Sequence, residues 1–173
     1  AGEAGRSSSP RDLPLYVVIE KITARFERLP DDWPVHGTTG YAFANAVNGL
    51  LVDGATRTRF DRLYEAFVGR PLEWDQVAYE AKRLVLRTSL AAELHVLATQ
   101  LNRLARGNRR TRDFTPSVLR NALVQVIACF PVYRTYIAER ASAEDRRYVD
   151  WAVGRAQALE SPPDASALAF LRS

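Results

Sequence analysis

Few side chains in this 173-residue chain stand where they could do chemistry. Cys129 is the single cysteine, so neither an intrachain disulfide nor a zinc site with two or more thiolates can form. It lies in the apolar run VIACF, the setting of an inert buried thiol rather than a nucleophile. His36 and His95 are far apart and lack the spacing of metal ligands, so no metal site is expected. Glu20 is different. It closes LYVVIE, residues 15–20, an apolar and β-branched run that suits a buried parallel strand. A carboxylate at a strand end can move protons, or it can simply reach solvent, and position alone does not separate the two.

Composition narrows the classes. Apolar and charged fractions of 47% and 25% are those of an ordinary globular chain. A net charge of +4 permits an anionic partner. The densest basic run, residues 106–112, lies between two helical patterns with no aromatic residue interleaved, which fits a solvated loop and argues against nucleic acid. No apolar stretch reaches the roughly 18 to 20 residues of a membrane-spanning helix, and the start lacks the apolar centre of a secretory signal. A cytoplasmic location with no membrane partner is the default expectation.

The elements that must position Glu20 follow from local signals. Residues 1–14 read as a disordered tail, small, polar and proline-containing. The rest, 15–173, reads as a single helical domain. Its first part, 15–37, is the strand and a long loop punctuated by Pro30, Asp31, Asp32 and Pro34, and long loops in compact domains are usually functional. Helices are expected over 38–130, beginning at a Thr38 or Thr39 cap, with Gly54 ending the first by a left-handed backbone and Gly69 and Pro71 stopping the second. Between residues 73 and 106, Val77, Ala81, Leu84, Leu90, Leu94, Leu97, Leu101 and Leu104 recur at helical steps and are expected in the core. Thr115 and Pro116 start another helix that breaks before Pro131. Residues 132–137 are a possible strand. Helices over 142–171 follow, opened by a capping box of Ser142 with Asp145 and later by Asp164. The fold class is mainly α.

Irregularly spaced glycines, prolines and aromatics carry more information than this periodicity. VVIEKI, then LPDDWPVHGTTGYAFANAVNGLLVD, YEAKRLVLRTSLAAELHVLA, RRTRDFTPSVLRNALVQVIACFPVYRTY and finally DRRYVDWAV together resemble the maltooligosyl trehalose synthases over residues 15–171. The resemblance implies a helical, bundle-like insertion of an amylase-type (β/α)8 barrel, with one or two short strands belonging to the barrel. It implies an intramolecular transglycosylation, in which the reducing-end α-1,4 bond of a maltooligosaccharide becomes an α,α-1,1 bond. No cofactor is implied. The implied partners are the maltooligosaccharide substrate, the rest of the catalytic barrel, and a trehalose-releasing hydrolase that uses the product.

Such retaining chemistry needs a nucleophilic carboxylate and a second that acts as acid and then base. The resemblance places Glu20 as the acid/base, at the strand end where catalytic groups of such barrels gather. Implied substrate-binding residues are Lys21, Thr38, Thr39 and Tyr41 beside the acid, and Phe130, Tyr133 and Tyr136 in FPVYRTY, whose aromatic faces suit pyranose C–H surfaces. For each, ordinary capping or packing is the competing explanation. The family's nucleophilic Asp, in an Arg-x-Asp context, has no match in residues 1–19, where Asp12 sits in the tail. The stabilising Asp, in a His-Asp context, has none either. The chain also departs from the family at Ala42, where an acidic residue is usual, and at residues 23–26, where Leu-Ala-Pro-Gly is commoner. The isolated chain is therefore expected to be inactive. A non-catalytic helical interaction module derived from such an enzyme, or another amylase-like glycosidase, remains open.

Overall fold

A computed structural model describes residues 13–173, which are mainly helical with two very short strands. The expected tail falls, up to Asp12, outside the described residues. The chain divides into two compact units, Ala1–Tyr64 and Glu65–Ser173. No helix among the described residues is long and apolar enough to cross a membrane.

In the first unit, strand β1 (Val18–Ile19) pairs in parallel with β2 (Gly37–Thr38), Val18 opposite Gly37 and Ile19 opposite Thr38. Parallel neighbours need a crossover of a dozen or more residues, and the proline-punctuated loop between the strands supplies it without a helix. The pairing extends beyond the strands. His36 N–H donates to the Val17 carbonyl at 2.7 Å, Val17 N–H to His36 Nδ1 at 3.2 Å, and Thr39 N–H to the Ile19 carbonyl at 3.0 Å.

Helix α1 (Tyr41–Leu50) begins differently from expectation. Neither Thr38 nor Thr39 caps it, because Thr38 belongs to β2. Its N-cap is Gly40 at φ 55°, a left-handed backbone that glycine adopts at little cost. The helix closes on Leu51, and Gly54 enters a 3-10 turn (Gly54–Thr56) instead of ending it with a positive φ. Asp53 caps that turn, its Oδ1 accepting from Ala55 N–H at 3.0 Å. Helix α2 (Arg57–Val68) follows and ends at Gly69, φ 79°, as its sequence predicts. Neither α1 nor α2 has a buried residue: Phe43, Leu50 and Phe67 are 74%, 84% and 89% exposed.

The second unit has a proper core. Its helices are α3 (Trp74–Arg87), α4 (Ala91–Arg106), α5 (Pro116–Ala128), α6 (Ala143–Gln157) and α7 (Ala165–Arg172), and α5 touches each of the other four. Leu119, Ala122 and Val126 of α5 join Ala105, Ala152, Val153, Ala156, Ala167 and Leu168 in one buried cluster, where alanines let the helices approach closely. Leu86, Leu94 and Val124 form a second, smaller cluster. The starts match their sequence signals. Thr115 accepts from Val118 N–H ahead of Pro116, and Asp164 from Ala167 N–H. Ser142 and Asp145 form the reciprocal box, so the shorter Asp suffices there.

Two expectations for this unit need correction. The apolar stripe over 73–106 is interrupted at Thr88, where Leu90 N–H reaches back to the Val85 carbonyl and α4 restarts. Within α4 the buried residues are Leu94, Ala98 and Ala105, while Leu97 and Leu104 lie at the surface with Leu90 before them. Val77 and Leu84 of α3, also expected in the core, are exposed too, since helical spacing sets a common face and not what covers it. Residues 132–137 form no strand. Arg134 there turns on its own segment, donating to the Thr135 carbonyl at 3.0 Å and stacking 4.9 Å from the Tyr136 ring.

Cys129 caps the end of α5, 4% exposed, and burial pushes its thiol above the ordinary value, against the opposing effect of Arg155 and Lys82. The folded chain is expected to resist alkylation at pH 7 and to react fully once denatured. Comparable labelling rates in the two states would contradict this burial.

Candidate functional site

Glu20 directly follows β1 and Tyr41 opens α1, so the strand pair and Gly40 bring the two together from positions 21 apart in the chain. Tyr41 Oη donates to Glu20 Oε1 at 2.9 Å, on an exposed surface. The Glu20 carboxylate raises the Tyr41 phenol above its ordinary value of 10.0, first through this hydrogen bond, then through its charge, with a small contribution from burial. A raised phenol keeps its proton longer, so the contact is intact below pH 10 and is lost as pH climbs past the raised value. A phenol can donate to an ionised carboxylate and accept from a protonated one, so the pair suits either protonation state of Glu20.

Lys21 turns the other way. Its Nζ meets Glu27 Oε1 at 2.5 Å with both side chains only 5% exposed, so the amine is neither a surface charge nor a partner of Glu20 in this contact. Glu27 Oε2 accepts from Ala24 N–H at 3.0 Å, and Glu27 N–H donates to the Ala24 carbonyl at 2.9 Å. The segment after Glu20 is thereby closed into a bonded loop. Thr38 and Thr39 stand on the other side of Glu20's strand end, Thr38 in β2 and Thr39 bonded through its backbone to Ile19 and Tyr41.

The first unit thus gathers Glu20, Tyr41, Thr38 and Thr39. Phe130, Tyr133 and Tyr136 belong to the second unit. Phe130 lines a cleft of about 250 Å³ with Trp74, Tyr79, Lys82 and Arg155, and its carbonyl accepts from Lys82 Nζ at 2.9 Å. Burial, then the neighbouring Arg155 charge, lowers the Lys82 amine from its ordinary value. Tyr133 is 86% exposed, and Tyr136 carries the Arg134 guanidinium on its ring. Among the described residues no group of three or more His, Cys, Asp or Glu side chains could hold a metal ion.

Sequence reasoning missed Glu27. The signal was there: one acidic residue between Arg25 and Arg28, in a loop that opens with a lysine after an apolar strand.

No protein-family model matches the chain, and no curated protein sequence matches it. Solved structures do. A maltooligosyltrehalose synthase from Arthrobacter ramosus superposes with a TM-score of 0.71 at 30% identity, over 91% of this chain and 18% of its own. A glycosyltrehalose synthase gives 0.62 at 29% identity, over 90% and 18%. A mutant form of the Arthrobacter ramosus enzyme gives 0.66 at 28%, over 91% and 21%. The chain therefore spans about a fifth of the length of the solved relatives it matches.

Proposed function

We propose that this chain, similar in fold to maltooligosyltrehalose synthases over about nine tenths of its length, is a segment of a trehalose-forming glucan mutase and supplies its acid/base, Glu20. The observation that carries this is the Tyr41–Glu20 hydrogen bond, because it joins the EKI and GTTGY words of the sequence into one physical site at a strand's C-terminal end. In the reaction, Glu20 protonates the departing glycosidic oxygen while a carboxylate from outside this chain attacks the anomeric carbon. The released glucose turns over, and Glu20, now ionised, takes the proton of its anomeric hydroxyl as that oxygen attacks the glycosyl-enzyme. An α,α-1,1 bond forms with net retention, the nucleophile is freed, and Glu20 is protonated again.

Thr38, Thr39 and Tyr41 line the sugar site next to the acid. In the second unit, Phe130, Tyr133 and Tyr136 offer aromatic surface of the kind that suits pyranose C–H faces. The partner that completes the site is the rest of the catalytic barrel. The exposed apolar residues of α1 and α2 fit this role, because neither helix buries any residue within this chain.

The test is to incubate the isolated chain with maltopentaose and follow reducing ends. No loss is expected, because Glu20 alone lacks a nucleophile. Loss of reducing ends by the purified chain would overturn the segment assignment.

A further inference from the structure

Along an extended chain, successive side chains alternate between faces. Burial follows this alternation past β1: Glu20 is exposed and Lys21 is 7% exposed, so the two adjacent residues point to opposite sides. A lysine is a poor choice for the inward position, because a buried ammonium without a partner is strongly unfavourable. Glu27 makes that position tolerable. One carboxylate oxygen pairs with the amine and the other takes the Ala24 N–H, so this side chain both meets the cation and closes the loop that leads away from Glu20.

We propose that Glu27 is a positioning residue for Glu20: by holding Lys21 on the inner face, it turns Glu20 to the outer face, where Tyr41 meets it. The functional meaning of this rests on Glu20 being the acid/base. The geometry does not. When Lys21 is left without Glu27, the backbone at residues 20–21 loses the anchor that sets its rotation, and the carboxylate leaves the phenol.

Tyr41 reports on this without any turnover. In the chain labelled with ring-carbon-13 tyrosine and assigned through Tyr41→Phe, the Tyr41 phenol is expected to titrate above an ordinary tyrosine, and Glu20→Ala, which removes both the acceptor and the charge, to return it to the ordinary value. Glu27→Gln, which leaves Glu20 in place, is expected to return it just as far. The double variant Lys21→Met with Glu27→Met leaves no unpaired buried charge and preserves bulk, so it folds even if Glu27→Gln disorders the strand pair. It should keep the raised titration, because a methionine at 21 stays on the inner face with no carboxylate to hold it there. A raised Tyr41 in folded Glu27→Gln, or an ordinary Tyr41 in the folded double variant, would overturn the positioning role. Turnover of a complete enzyme enters none of these readouts, so that outcome would leave the assignment of Glu20 standing, and an active Glu20→Gln enzyme would leave the positioning geometry standing.

Discussion

Glu20→Gln, placed in a complete maltooligosyltrehalose synthase carrying this segment, is expected to lower the turnover of maltopentaose by about 10²-fold or more. Glutamine keeps the size of the side chain and can still accept a hydrogen bond from Tyr41, so the fold should be unaffected. What disappears is the proton. A glucosyl oxygen is a poor leaving group unless protonated as it departs, and the same group must later remove a proton from the attacking anomeric hydroxyl. Both halves of the reaction therefore suffer, which is why this substitution should have the largest effect on rate of any in the first unit.

The largest effect on stability should come from the second unit. Leu119 is fully buried on α5, the helix that contacts α3, α4, α6 and α7. Leu119→Ala removes apolar atoms from water-free surroundings and leaves a cavity that closely spaced helices cannot collapse into, at a cost of about 2–5 kcal/mol. Chemical denaturation of the chain followed by circular dichroism measures it. Leu50→Ala is the contrasting case: Leu50 is 84% exposed, and its loss from the isolated chain should stay within about 0.5 kcal/mol. In the complete enzyme the contrast should narrow, as the proposed contact of α1 with the rest of the barrel requires. Equal costs in the isolated chain would contradict the core described for the second unit. An unchanged, negligible cost in the complete enzyme would contradict α1 as a contact surface.

Local signals in the sequence located much of the fold. Thr115 with Pro116, Ser142 with Asp145, Asp164, Gly69 and Pro131 each act within a few residues of themselves, so their meaning is legible without the rest of the molecule. The failures are of another kind. Gly37 and Thr38 form a strand only because Val18 and Ile19 lie beside them, and two residues carry no period to read. Thr38 looked like a cap for the same reason. Val132 to Ile137 alternate as a strand would but form no strand among the described residues. Leu97 and Leu104 have helical spacing yet face outward, since spacing fixes a common face and not what covers it. The candidate site divides similarly: the irregular words of the sequence singled out Glu20 and Tyr41, which lie in hydrogen-bond contact, whereas the contact of Lys21 with Glu27 is a loop pairing that no periodic pattern announces.

The central claim is that Glu20 acts as a proton donor and acceptor, and a substrate that leaves without a proton isolates that role. The measurement is single-turnover fluoride release from α-maltotetraosyl fluoride by the complete enzyme, with and without Glu20→Gln, alongside conversion of maltopentaose. Fluoride release is expected to continue at close to the unsubstituted rate while maltopentaose conversion falls by about 10²-fold or more. Parallel loss of both, or loss of neither, would contradict the assignment of Glu20 as the acid/base.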